Sequence, residues 1–248
     1  YDAGVLYTLR ALEHEYGGPL DGPVSVEGVV TTNMDISGGT WQSALTAMSR
    51  PRENREAQRH AQMVLRHQYP RKAGSLSLRP LHDNTFDAWL CPMPTIDPQV
   101  VQRSARAIDA YGPDFRYGHY LGVSSLAKLT AGALGVGGLV LAAQIGPIRR
   151  RLMRSRASGQ GPSEEKRAES WFRVRFRGRH GDNEVLCEVA GGDPGYTETA
   201  RMLSETAMGI ALEDNLPLRT GVITPVMALE DRLIERLSGA GLRFQRLA

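Results

Sequence analysis

Residues 171–189 constrain the fold more than any other part of this sequence. Arg173, Arg175, Arg177 and Arg179 alternate with Phe172, Val174, Phe176 and Gly178, and a period of two places the basic and apolar sets on opposite faces of an extended strand. Gly181-Asp182 then reads as a two-residue type II′ turn, glycine standing where φ must be positive, with 184–189 as the returning strand. In that register Arg179 falls opposite Glu184, Arg175 opposite Glu188, and Arg177 opposite Leu186. A chain carrying this hairpin is neither all-helical nor disordered, and its arginine ladder is largely neutralised within the hairpin itself. Nucleic-acid binding is disfavoured, because no aromatic side chains interleave on the basic face. The whole chain agrees: 30 Lys+Arg against 27 Asp+Glu leave a formal charge of only +3.

Helical periodicity surrounds the hairpin. Val5, Leu6, Leu9 and Leu12 predict a helix over 2–16, ended by Gly17-Gly18-Pro19. A strand follows at 24–30, and Ser37-Gly38-Gly39-Thr40 opens a helix with Trp41, Ala44, Leu45 and Met48 inward. The arginine-rich stretch 49–68, with only Ala57, Ala61 and Val64 as an apolar stripe, reads as a solvated helix stopped by Pro70. A strand at 86–90 leads into the extended Cys91-Pro92-Met93-Pro94. Asp97-Pro98 starts a helix whose carboxylate caps the free amides and which runs through Val101, Ala105 and Ile108 to Gly112. In the last third, 197–214 forms a helix with Ala200, Leu203, Ala207, Ile210 and Ala211 as its core face, stopped at Leu216-Pro217. Thr224-Pro225 begins one more helix, to Gly239, before a closing strand at 242–247. With 248 residues, 41% of them hydrophobic, the chain can bury a substantial core of mixed α and β structure.

One stretch resists a globular reading. Residues 129–148 contain no charge and are followed by Arg149, Arg150, Arg151, Arg154 and Arg156. The length just meets the requirement for a membrane span, but five glycines, Pro147 and Gln144 weaken the hydrophobicity. A crossing helix, a helix in the membrane interface and a packed helix pair all remain open. The arginine flank favours anionic headgroups, with Leu139, Val140, Leu141, Arg149, Arg150 and Arg151 as the contact residues.

Little catalytic chemistry is legible locally. His14, His60, His67, His82, His119 and His180 are scattered without ligand spacing, so no metal is expected and each histidine reads as surface or structural. Cys91 and Cys187 lack a motif that would activate a thiol, Cys187 lying on the apolar face of its strand. No Gly-x-Ser-x-Gly and no Gly-x-Gly-x-x-Gly after a strand occurs. Two glycine turns remain. Ser37, Gly38, Gly39 and Thr40 offer amides and hydroxyls to a carboxylate, phosphate or carbonyl, or form a plain capped turn. Gly192, Asp193, Pro194, Gly195 and Tyr196 read as a structural turn that brings sheet and helix together.

Four motifs in order carry a family resemblance: Ser37-Gly38-Gly39-Thr40; Gly159-Gln160-Gly161-Pro162-Ser163-Glu164-Glu165-Lys166-Arg167 before Trp171-Phe172; Gly191-Gly192-Asp193-Pro194-Gly195-Tyr196-Thr197-Glu198-Thr199-Ala200; and Gly221-Val222-Ile223-Thr224-Pro225. Over nearly the whole chain they resemble the saccharopine dehydrogenase-like family, in its actinobacterial trans-acting enoyl reductase branch. The resemblance implies an α+β fold, a mixed and largely antiparallel sheet with flanking helices, here joined by the apolar helical segment. Tyr1-Asp2-Ala3-Gly4-Val5 resembles the end of a junction motif, so 1–20 would be the tail of a Rossmann domain not contained in this sequence. Residues 21–248 would form the substrate-side domain, with 121–157 as an apolar helical insertion. The implied activity is reduction of a carbon–carbon double bond on a polyketide synthase or lipid-bound acyl substrate, using NADP held mainly by the Rossmann domain. Tyr1 and Asp2 would lie beside the cofactor, and the Ser37–Thr40 turn would bind substrate, with the chain inactive alone. A cytoplasmic location, peripheral at the inner face of the plasma membrane, goes with this reading, as does a homodimer. The competing class is a non-catalytic membrane- or lipid-surface protein on the same scaffold.

Overall fold

A computed structural model describes residues 1–35, 37–69, 71–93, 95–156 and 161–248, apart from the side chains of Gln62 and of residues 65–68. Pro70, Pro94, Gly159 and Gln160, which figured in the expected helix stop, proline segment and loop motif, lie outside the described residues, as does the side chain of His67. In chain order the elements are α1 (Asp2–Tyr16), β1 (Pro23–Thr32), α2 (Gly38–Ser49), α3 (Pro51–Gln68), β2 (Lys72–Ser75), β3 (Leu81–Asp83), β4 (Ala88–Pro92), α4 (Asp97–Ala107), β5 (Asp114–Val123), α5 (Leu126–Gln144), α6 (Gly146–Ser155), α7 (Glu164–Ala168), β6 (Phe172–His180), β7 (Asn183–Gly191), α8 (Thr197–Leu212), α9 (Pro225–Leu229), α10 (Asp231–Gly239) and β8 (Arg243–Arg246).

Eight strands form one mixed sheet in the order β3-β4-β5-β1-β6-β7-β8, β2 pairing beside β4 along β5. The β1–β5 and β2–β5 pairs are parallel and the others antiparallel, which is the α+β class expected from the resemblance. The β6–β7 hairpin has the register read from the sequence, Arg179 opposite Glu184, Arg177 opposite Leu186 and Arg175 opposite Glu188. Gly181 takes φ 56 at its turn.

On one face of the sheet Val174, Phe176, Val185, Cys187 and Val189 pack under α1 with Val5, Leu6, Leu9 and Leu12 in the main core. The close approach needs two glycines. A Cβ on Gly4 would stand 2.4 Å from Phe176 Cε2, and one on Gly178 would stand 2.8 Å from Thr8 Cγ2. On the other face the ladder is neutralised more widely than its hairpin alone provides. Arg173 and Arg175 reach the buried Glu188, Arg179 pairs with Glu184, and Arg177 is clasped by Glu27 (2.6 Å) and Asp83 (2.9 Å) beneath the Phe86 ring.

Several expectations are corrected. The helix expected over 224–239 is broken at Glu230, whose φ of 47 separates α9 from α10; Arg219 holds the bend, bonding the Met227 carbonyl and the Glu230 carboxylate. Asp97 does not cap α4, because its carboxylate instead accepts the Thr95 hydroxyl. That helix stops at Ala107, and a 3-10 turn, Asp109–Tyr111, completes the path to Gly112. The strand expected at 86–90 starts later, at Ala88, since Asp83 ties the amides of Thr85 and Phe86 into a turn.

The largest correction is α8. Its expected core face is exposed, Leu203 at 70% and Ile210 at 52%. The inward side carries Glu198, whose carboxylate accepts the Gly192 amide, and Glu205, paired with Arg236. Gly209 allows the helix to close on Leu229, where a Cβ would lie 2.9 Å from Cδ1. Ion pairs, one close approach and Met202 against the core, rather than the expected apolar stripe, orient this helix.

The charge-free stretch is two helices. Pro147 sits in the first turn of α6, and the chain bends at Ile145. These helices pack on α2, and α5 also on β4 and β5, with Leu129 and Ala143 buried, Trp41 donating to the Leu152 carbonyl, Gln42 to that of Met153 and Gln144 to that of Met48. Among the described residues α5 is the one helix long and apolar enough to cross a membrane.

Candidate functional site

A cavity of about 440 Å³ opens between the start of α1, the inner face of β1, β6 and β7, and the helices that cover them. Its walls are mostly apolar, with Gly4, Val30, Val174, Phe176, Met202 and Phe244 among them. The volume falls within the range of small-molecule pockets, and a mostly apolar lining with few polar groups suits a hydrophobic ligand. Tyr1, Thr32, Asp97 and Thr199 supply the side-chain polarity.

Behind Tyr1 and Asp97 lies a buried polar group. The Tyr1 ring stacks on His119, centroids 4.8 Å apart, and Tyr117 meets the same imidazole edge-on at 5.8 Å. Parallel pairing with β1 brings Tyr117 and His119 to the inner face, opposite Val26 and Gly28. Gly28 leaves the space that the Tyr117 hydroxyl fills, 3.0 Å from where a Cβ would stand. Thr95 donates to Asp97 Oδ2 at 2.6 Å, and its oxygen lies 2.9 Å from His119 Nε2. Its one proton being given to the carboxylate, Thr95 must accept from His119, which assigns the neutral ring as the Nε2–H tautomer. His119 Nδ1 is then a buried lone pair, and neither it nor the Tyr117 hydroxyl has a hydrogen-bond partner among the described residues. Burial lowers the His119 pKa, Asp97 opposing, so the ring is neutral at neutral pH. Burial likewise raises the Tyr1 and Tyr117 hydroxyls, which therefore stay protonated as donors.

The residues singled out from the sequence fall in different places. Tyr1 lines the cavity, whereas Asp2 points away into the core. There its carboxylate accepts from Ser104 at 2.6 Å and Tyr111 at 3.4 Å, with Thr224 against Ser104. Burial pushes the Asp2 carboxyl up to about 6. The Ser37 hydroxyl is spent on capping the Thr40 amide and on the Thr40 hydroxyl, and none of residues 37–40 lines the cavity. Asp193 gathers the amides of Gly195, Tyr196 and Thr197, so the Gly192–Tyr196 turn is a cap for α8, with Pro194 in the cavity wall. Leu139 is half-buried, Val140 and Leu141 are exposed, and Arg150 and Arg151 are exposed beside a half-buried Arg149. Tyr117 and Thr95 are not singled out in the sequence, where His119 reads only as surface or structural. Alternation of Phe115, Tyr117, His119 and Leu121 was the available signal.

A dinucleotide does not fit what is present. Among the described residues the strand–glycine turn–helix arrangement occurs at β1–α2 and β7–α8, but neither has the Gly-x-Gly-x-x-Gly spacing; α2 packs against α5 and α6, and Asp193 takes the amides at the start of α8. Nor do three potential metal ligands come together among them.

Comparison with known proteins finds similarity to mycobacterial reductases. A protein of Mycobacterium tuberculosis (strain ATCC 25618 / H37Rv), provisionally named a trans-acting enoyl reductase, is 32% identical over 159 residues, covering 59% of this chain and 38% of the relative. A protein so named from strain CDC 1551 / Oshkosh matches to the same extent. A trans-acting enoyl reductase of Mycobacterium ulcerans (strain Agy99) is 30% identical over 157 residues, 58% of this chain and 37% of its own length. The chain therefore spans under two fifths of the relatives it matches. No family model and no solved structure matches it.

Proposed function

We propose that this chain is the substrate-side portion of a trans-acting enoyl reductase of the saccharopine dehydrogenase-like type, acting on an α,β-unsaturated acyl thioester carried by a lipid-making polyketide synthase. The similarity to enoyl reductases supports the reaction class. The observation that carries the reading is the apolar cavity with Tyr1 and Asp97 in its wall. NADP is the proposed hydride source. Its binding is assigned to sequence outside these 248 residues, since the described residues hold no cradle for it.

The roles of this chain follow from what the cavity offers. Its apolar walls hold the acyl chain and exclude water, which strengthens any hydrogen bond made inside. Reduction of a conjugated double bond builds negative charge on the thioester oxygen, and a preorganised donor at that oxygen favours the reaction. The Tyr1 hydroxyl, protonated and without a hydrogen bond among the described residues, is the proposed donor. His119, stacked behind it and tied through Thr95 to Asp97, positions the ring.

The test is reduction of an enoyl thioester by the complete protein, followed as NADPH oxidation. The Tyr1→Phe variant should lose roughly 100-fold in kcat, the range for removing one such donor, while folding normally. Unchanged turnover would remove Tyr1 from the role, and absence of any reduction by the wild type would refute the function. The non-catalytic alternative, a lipid-surface protein on the same scaffold, draws on the exposure of α5 and requires lipid binding without turnover.

A further inference from the structure

The helices α5 and α6 expose apolar surface and positive charge together. The inward side of α5 carries Leu129 and Ala143, both buried. Half a turn away around the helix run Ala127, Ala131, Leu134, Gly138 and Leu141, continued by Ile145. Leu134 is 77% exposed, Leu141 70% and Ile145 50%. Nothing in the described residues covers this stripe, and no charged side chain interrupts it.

The charge beside it has one sign. Residues 124–156 contain Lys128, Arg149, Arg150, Arg151, Arg154 and Arg156 and no Asp or Glu. Arg156 pairs with Asp35 and Arg149 turns back to the Ala143 carbonyl. Arg150, Arg151 and Arg154 remain exposed on α6, directly after the apolar stripe. A hydrophobic protein partner would satisfy the stripe and leave these arginines unaccounted for. An interface of acyl chains beneath anionic headgroups satisfies both.

We infer that α5 and α6 dock the protein onto the surface of an anionic lipid bilayer, α5 lying in the interface plane with Leu134, Leu141 and Ile145 in the acyl boundary and Arg150, Arg151 and Arg154 on the headgroups. A surface position, not a crossing, follows from the tethers that hold both helices along α2, namely Gln144 to Met48 and Trp41 to Leu152. The docked unit stands where β1 and β5 end: β5 runs directly into α5, and Met34, between β1 and α2, lines the cavity. An acyl chain leaving the bilayer would thus arrive beside the cavity wall. Docking does not depend on the reductase reading.

Vesicle flotation of the full chain tests it, using phosphatidylcholine vesicles with and without phosphatidylglycerol. Binding is expected to the anionic vesicles, to weaken with salt, and to be released by alkaline carbonate. The triple variant Arg150→Gln, Arg151→Gln, Arg154→Gln should bind roughly 100-fold more weakly, about fivefold for each charge lost from the surface. Leu134→Asp with Leu141→Asp should also detach the protein, circular dichroism confirming that both variants fold. Failure to float with anionic vesicles, equal binding to neutral ones, an unaffected triple variant, or retention through carbonate would each overturn the proposal. So would a stripe occupied by a second copy, seen as self-association that the leucine variants abolish while lipid binding stays absent.

Discussion

Replacing Asp2 by Asn should make the protein more stable at neutral pH, although it removes a charge from the first turn of a helix, where a carboxylate normally helps. The carboxyl packs against the buried Ser104 and Tyr111. Desolvation raises its pKa from 3.8 to about 6 against the opposing hydrogen bonds. The native state therefore holds a proton that the unfolded state releases. Below pH 3.8 both states are protonated and the group contributes nothing to the pH dependence. Between there and pH 6 the folded protein loses stability, and above pH 6 the full cost of about 3 kcal/mol is present. Asn keeps the shape and carries no charge, so the variant escapes this loss. Urea unfolding of both proteins from pH 4 to 8 measures it. The stability difference, variant minus wild type, should climb by about 2 kcal/mol between pH 4 and 6 and level off above pH 7. A flat difference, or one that falls with pH, would mean that the Ser104 and Tyr111 hydrogen bonds outweigh burial, refuting the reasoning.

Gly4→Ala should destabilise by about 1–2 kcal/mol, since the new Cβ would meet the buried Phe176 ring at 2.4 Å, and overpacking exceeds the helix-propensity gain; adding Phe176→Leu should recover most of the loss in thermal unfolding. Leu203→Glu with Ile210→Glu should change stability by no more than about 0.5 kcal/mol per site because both side chains face solvent, whereas a loss of several kcal/mol would restore the core face read from periodicity. Arg177→Ala should cost about 3 kcal/mol at pH 7 by leaving Asp83 without an ion pair and Glu27 with only the more distant Arg179, and a loss below about 1 kcal/mol in urea unfolding would show the cluster to be solvated.

The hairpin was legible because its signal is local: strict alternation and a glycine at the turn fix both faces and the register. The fold class came instead from the four ordered motifs. Strand β5 was not read, because Phe115, Tyr117, His119 and Leu121 alternate with Arg116, Gly118, Tyr120 and Gly122, and much of both faces is buried, so apolar contrast fades. The face of α8 misled because Glu205, Arg236 and Gly209 decide it through partners distant in sequence. The cavity was illegible for a related reason. Its walls come from positions as far apart as Tyr1, Asp97, Phe172 and Phe244, joined only by tertiary folding. Ser37–Thr40 drew attention through a capping pattern, and capping is what the hydroxyls do.

Calorimetric titration with a long-chain enoyl thioester of pantetheine tests most directly whether the cavity receives the acyl substrate. The wild-type chain should bind it, and Met202→Trp, which places bulk in the cavity wall, should weaken binding by about tenfold or more while leaving unfolding cooperative. No binding by the wild type, or equal affinity in the filled variant, would contradict the assignment.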